Sequence, residues 1–320
     1  MINTIIIDGI TFAFPMFIMA VGGIFSEKSG ITNLAIEGLQ GFGAFVGAFV
    51  MVLMTGAMGT GTQIPYYVSF VAAALGGMLY AFIHVILCIR FKANQIISGV
   101  VVNILAMALT SFLTRRLNLI ITGQNSNKFN LGTSARFDVP VLSGIPVIGA
   151  LFTRVYPFEI IIMIIAVAAW YVMYRTPYGM HLRACGDNPH AADAAGIDVD
   201  RVRTIAVVLS GGFAAVGGMS FAYSIAASFS PDIYLGFGYL AIAALIFGNW
   251  SILHTFGACL LFGFARSFGQ EMIQYMGMPS TFNDQIRTSP YIITLLLLIF
   301  FSKNNRAPRA LGEIYDKGKR

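Results

Sequence analysis

Apolar residues in this chain gather into long runs that do not alternate with polar ones. Read with the Gly, Pro and charged residues that break them, the runs predict nine helices, at about 4–25, 31–54, 66–90, 95–117, 158–175, 203–224, 233–248, 253–273 and 288–302. About 20 apolar residues cross a hydrocarbon core as helix, whereas a transmembrane barrel shows short alternating segments. The expected fold is all-α and polytopic, a single transmembrane domain over 1–320 with about nine transmembrane helices. The run at 233–248 is short and opens on Gly236, Phe237 and Gly238, the mark of a broken or half helix. Gly41, Gly43 and Gly47 and the pairs Gly211–Gly212 and Gly217–Gly218 fall inside runs, where small residues let helices approach closely.

Composition supports the pattern. Only 11% of the residues are charged and 57% are hydrophobic, against about 25% charged in soluble domains. No Lys or Arg precedes Thr4–Ile24 and no small-residue cleavage site follows it, so it reads as a retained span and not a signal peptide. Cys88 and Cys259 lie in apolar runs and Cys185 in a polar loop, which suggests buried, unpaired thiols and no disulfide framework.

Two polar connections interrupt the runs. Loop 118–157 is rich in turn formers, and its apolar part 139–152 is either a self-packed cap or a surface that receives a partner. Loop 176–202 is polar and helix-capable. Placing it in the cytoplasm puts thirteen Lys and Arg inside, with those of the tail 303–320 among them, and six outside, with Arg266 within a span. The N-terminus is then expected outside and the C-terminus in the cytoplasm.

Catalytic chemistry is missing from the sequence. No G-x-x-x-x-G-K-[ST] phosphate loop occurs, and His84, His181, His190 and His254 fall in no metal-binding spacing, so neither a cofactor nor a metal is expected. Nothing points to nucleic acid. What remains is a set of polar residues in or beside apolar runs, where charge is costly and faces a cavity or a partner. Glu37 lies inside the second run, either in a structural network (Arg266 is one conceivable partner) or against a solute. Asn94, Gln95 and Asn103 open the fourth run, and neutral amides suit hydroxylated solutes as well as helix packing. Ser29 or Thr32 is expected to cap the second helix, Ser230, Pro231 and Asp232 to open the seventh, and Trp250 to anchor an interfacial turn.

In loop 176–202, Asp187 or Asn188 is a good N-cap, Pro189 suits the first helical position and Gly196 stops the helix. The run Arg183-Ala184-x-Gly186-x-Asn188-Pro189-x-Ala191-Ala192-x-x-Ala195-Gly196-Ile197 resembles the coupling-helix region of permeases in ABC importers for simple sugars and nucleosides. Ser26–Gly38 is similar to the S-E-x-x-G-x-x-N-x-x-x-E-G segment of the nucleoside-type branch, and Asn94–Gly99, Ala243–Gly248 and Arg306–Gly312 are also similar.

That resemblance implies a multi-pass permease subunit in the bacterial cytoplasmic membrane. Its implied partners are a separate ABC ATPase subunit, a second and often non-identical permease, an extracytoplasmic solute-binding lipoprotein, and membrane lipid. Carried onto this chain, it implies coupling to the ATPase through Arg183, Gly186, Asp187, Asn188, Pro189, His190, Ala192, Ala195 and Gly196. Asn33, Glu37, Asn103 and Asp232 are the expected substrate-path residues for a nucleoside or simple sugar. The competing reading is an ion-gradient-driven carrier of a small neutral solute.

Overall fold

With no water to satisfy backbone groups in hydrocarbon, a chain of this composition closes its hydrogen bonds within helices. A computed structural model describes residues 2–59, 62–132, 136–144, 148–232, 235–277 and 306–318, with positions 288, 292 and 296. Seven of its helices are long and apolar enough to cross a membrane. They are α1 (Ile2–Lys28), α2 (Ile36–Met58), α3 (Ile64–Val85, extended by a π turn to Arg90), α4 (Gln95–Thr122), α5 (Pro157–Arg175), α8 (Val199–Phe221, extended by a π turn to Ala226) and α10 (Ile252–Met276). Three are shorter: α6 (Pro177–Asp187), α7 (Pro189–Ala194) and α9 (Phe237–Phe247). The first eight expected spans each have their helix, and α9 is the half-length one. The ninth, 288–302, lies outside the described residues apart from its three isolated positions.

The helix α8 runs through the middle of the bundle, packed on α1, α2 and α3. Its glycines explain how. A Cβ on Gly211 would lie 2.5 Å from the Gly77 carbonyl oxygen, and one on Gly77 would lie 2.4 Å from that of Gly211. Only two bare backbones fit at this crossing. Gly43 and Gly218 admit α8 to α2 in the same way.

Where loop 118–157 is described, it packs partly on itself and partly on the segment that follows α8. Phe129–Asn130 (β1) pairs antiparallel with Ser228–Phe229 (β2), Phe137 bridges Val155, and the Val139 amide donates to the Phe152 carbonyl. Phe129 and Phe229 bury their rings against Phe45 of α2.

Several local expectations need correction. The second helix begins at Ile36, later than expected, and neither Ser29 nor Thr32 caps it, since its N-cap Ala35 makes no side-chain bond. Residues 29–35 stay irregular because side chains satisfy them: the Ser29 hydroxyl donates to the Ser26 carbonyl, and the Thr32 amide donates to Gln95 Oε1 at 2.7 Å. Loop 176–202 holds two helices where one was expected. Trp250 is not an interfacial anchor. It is 5% exposed, and its indole Nε1 donates to Oε2 of the buried Glu27 at 2.5 Å. Trp250→Phe keeps the packing but leaves that carboxylate short of a donor. It is expected to cost about 1–3 kcal/mol, read as a lower melting temperature of the detergent-solubilised chain.

Candidate functional site

A helix of eleven residues inside a bundle exposes its first amides to an apolar surrounding, and those amides need acceptors. At the start of α9, Glu37 supplies them. Its Oε1 accepts from the Gly236 amide at 2.6 Å, and its Oε2 accepts from Gly238 at 2.6 Å and Tyr239 at 3.3 Å. The positive end of a helix dipole and three charge-assisted bonds together hold a carboxylate where hydrocarbon would expel it. A side chain at Gly238 is excluded, because a Cβ there would lie 2.6 Å from Glu37 Oε2. Arg266, the conceivable ion partner, lies with its guanidinium over the rings of Phe12 and Phe237, at 4.1 and 5.5 Å.

Asn103 of α4 ties the other side of the same feature. Its Oδ1 accepts from the Gly38 amide at 2.7 Å, while its Nδ2 donates to the Leu34 carbonyl at 2.8 Å and to the Tyr239 hydroxyl at 3.0 Å. Because that hydroxyl accepts from Asn103, its own proton points elsewhere. Glu37, Asn103, Gly236 and Tyr239 line a cleft of about 330 Å³ whose remaining wall is mostly apolar, with Met107, Leu235 and Pro231 in it. Asn103 lies eight positions along α4 from Gln95, roughly 12 Å at 1.5 Å per residue, so the cleft sits well along α4 from its start, and it opens on the flank of the bundle, where Ile104, Met107, Leu235 and Tyr239 are exposed. It offers a hydroxyl donor, carboxylate and carbonyl acceptors, and apolar walls, a set that suits a neutral hydroxylated solute with one apolar face.

Of the four expected path residues, the structure brings Glu37 and Asn103 together. Asn33 is fully buried elsewhere, its Nδ2 donating to Ser210 Oγ of α8 at 2.7 Å. Asp232 is exposed, one residue beyond the cleft-lining Pro231, and does not cap α9. Tyr239 was missed. In sequence it is one tyrosine among 13, and no spacing marks the one that meets a half-helix mouth.

At the other polar feature, Thr176 caps α6, Asn188 caps α7 through its Oδ1 to the Ala191 amide at 3.0 Å, and Asp198 caps α8. The helix α7 ends at Ala194, and two residues on the chain turns at Gly196, whose φ of +86° favours glycine. Gly186, Pro189 and Ala192 are buried. Gly186 packs so tightly that a Cβ would lie 2.2 Å from the Lys28 carbonyl oxygen. Asp187, Asn188, His190, Ala195 and Gly196 are exposed, and the half-buried Arg183 donates to the Gly179 carbonyl. The nine expected coupling residues thus divide into an anchoring face and an exposed rim. All three cysteines are free and buried, and burial pushes the Cys185 thiol up to about 11. Among the described residues, no group of His, Cys, Asp and Glu could hold a metal ion.

The family described as branched-chain amino acid transport system / permease component matches residues 5–301. The guanosine ABC transporter permease protein NupQ of Bacillus subtilis is 36% identical over 317 residues, which cover 97% of this chain and 96% of NupQ. The nucleoside ABC transporter permease protein NupC of Lactococcus lactis is 33% identical over 99% of this chain and 98% of its own. A second guanosine ABC transporter permease protein of Bacillus subtilis, NupP, is 25% identical over 95% of this chain and 82% of its own. No solved structure matches. The chain belongs to this permease family, and it is a membrane-spanning permease subunit of an ABC importer.

Proposed function

We propose that this permease carries nucleosides, with α7 as the helix through which a separate ATPase drives the path. The observation that carries the reading is a capped, six-residue helix with an exposed polar rim, held to the bundle by the buried Gly186 just before it and by its own buried Pro189 and Ala192. The chain has no phosphate loop of its own, so work must enter from a partner. A rigid knob that binds one ATPase conformation better than another shifts the path between two states by that difference in affinity.

In this reading α6, α7 and the tail face the cytoplasm of a bacterial inner membrane and the β1–β2 cap faces outward. The ninth run, 288–302, completes the crossings and brings the C-terminus inside. The partners are an ATPase, a solute-binding lipoprotein above the cap and a second permease. A non-identical second permease is supported by the pair NupP and NupQ, two guanosine permease proteins of one organism that both resemble this chain. The cleft at Glu37 and Asn103 takes the solute. Its Tyr239 hydroxyl and Glu37 oxygens suit ribose hydroxyls and base N–H groups, while its apolar wall suits a flat base. Asp232, next to the cleft-lining Pro231, stands on the route into it, whereas Asn33 is engaged with Ser210 of α8.

The test is reconstitution. The complete assembly is expected to take up guanosine with ATP and to ignore ionophores, and this chain alone to take up none. Uptake by the chain alone that an ionophore abolishes would establish the gradient-driven carrier instead. Within the assembly, Asn188→Trp and Gly196→Trp are expected to leave the chain inserted, since a lost cap costs only about 1 kcal/mol. ATP hydrolysis then proceeds without uptake. Normal uptake by both variants would remove α7 from the ATPase contact.

A further inference from the structure

The segment 306–318 crosses the whole end of the bundle that carries α6 and α7. Its bonds go to different elements in turn. The Arg306 amide donates to Asn249 Oδ1 in the α9–α10 turn at 2.7 Å, and the Ala310 amide donates to the Gly186 carbonyl of α6 at 2.8 Å. The Gly312 amide donates to the Gly30 carbonyl in the α1–α2 junction at 3.0 Å, and the Glu313 carbonyl accepts from Arg203 of α8 at 3.4 Å. Further along, Tyr315 is buried with its ring 5.2 Å from His190 of α7 and with the Arg203 guanidinium 5.9 Å away. Lys317 pairs with Asp193 of α7 at 3.2 Å, and Asp316 pairs with Lys92 after α3 at 2.7 Å.

We infer that this C-terminal segment is a strap that transmits displacement of α7 to the half-helix cleft. The inference rests on α7 being the ATPase contact, and it names the route by which that contact reaches the solute. One end of the strap holds α7 through Tyr315 and Lys317. Its middle is fastened to Gly30 through Gly312, and Gln95 donates to the Glu313 carbonyl at 3.5 Å while accepting the Thr32 amide. Two residues past Thr32, the Leu34 carbonyl is held by Asn103, and the Gly38 amide after Glu37 donates to the same side chain. A pull on α7 is therefore delivered to the segment that carries Glu37 and is hydrogen-bonded to Asn103. Exposed ion pairs such as Lys317–Asp193 hold weakly, so the buried Tyr315 ring is the principal grip.

The experiment uses the complete importer in proteoliposomes, with four readouts: insertion, crosslinking of α7 to the ATPase, ATP hydrolysis and guanosine uptake. A chain ended after Glu313 and the variant Tyr315→Ala are expected to insert and to crosslink as the wild type does. Uptake per ATP hydrolysed is expected to fall about tenfold, the scale of an ordinary coupling free energy. Tyr315→Phe retains the ring and is expected to keep wild-type coupling, which separates a grip from general destabilisation. His190→Ala and Tyr315→Ala are expected to be non-additive in the same ratio. Unchanged uptake per ATP in both Tyr315→Ala and the shortened chain overturns the strap while leaving α7 as the contact. Loss of coupling in Tyr315→Phe as well overturns the ring grip. Absence of the α7 crosslink in the wild type overturns both readings, and the crosslink thereby tells the two failures apart.

Discussion

Glu37→Ala is expected to abolish uptake and to loosen α9 from α2. The substitution removes the acceptor for three amides at once, at Gly236, Gly238 and Tyr239. In water such amides would be solvated, but here they start a short helix whose neighbours are mostly apolar. Each buried donor left unpaired costs about 1–3 kcal/mol, so the sum is a large part of the stability of an ordinary domain, about 5–15 kcal/mol. Glu37→Gln is expected to fall between, since its one carbonyl oxygen keeps part of the cap while its NH₂ faces donors. The measurement is guanosine uptake by the assembled importer, with the melting temperature of the detergent-solubilised chain read beside it. A Glu37→Ala chain that melts and transports as the wild type does would show that the α9 amides find other acceptors, and the cleft assignment would go with it.

The second large effect is expected at the α3–α8 crossing. Gly211→Leu places a branched side chain where a Cβ alone would overlap the Gly77 carbonyl at 2.5 Å. No rotamer relieves this, because the obstacle is backbone, and α8 would have to leave α3 along its length. Overpacking of a core usually costs about 1–3 kcal/mol, and more where the neighbour is rigid. The expected result is a chain that inserts poorly or melts far below the wild type. Gly56→Leu is the control, since a Cβ there meets nothing within 4 Å. Equal melting temperatures for Gly211→Leu and the wild type would contradict the packing described.

The two predictions differ in how visible they were beforehand. Small residues inside apolar runs announced close helix crossings, and Gly43, Gly211 and Gly218 make them. The half helix at α9 was announced by length and by Gly236 and Gly238. Its acceptor was not. Glu37 is 199 residues away from Gly236 in sequence, and only the placement of α2 against α9 joins them. The same distance hid the role of Trp250, whose partner Glu27 is 223 positions earlier. Local rules pointed to the membrane interface for Trp250 and to Asp232 for the α9 cap. In each case a side chain from another helix satisfied the group first.

Hydrophobic run length by itself determined that this chain forms membrane-length helices, because a backbone in hydrocarbon has no other way to satisfy its amides. Local capping determined α7 as well, since Asn188, Pro189 and Gly196 act on residues within one turn of themselves. The tertiary structure alone decided that Glu37 and Asn103 share a cleft, that Asn33 serves Ser210 instead, and that Tyr315 reaches His190. These are contacts across tens to hundreds of residues. Their energy depends on where helices cross, and crossing geometry is set by the summed fit of many side chains, which no short stretch of sequence contains.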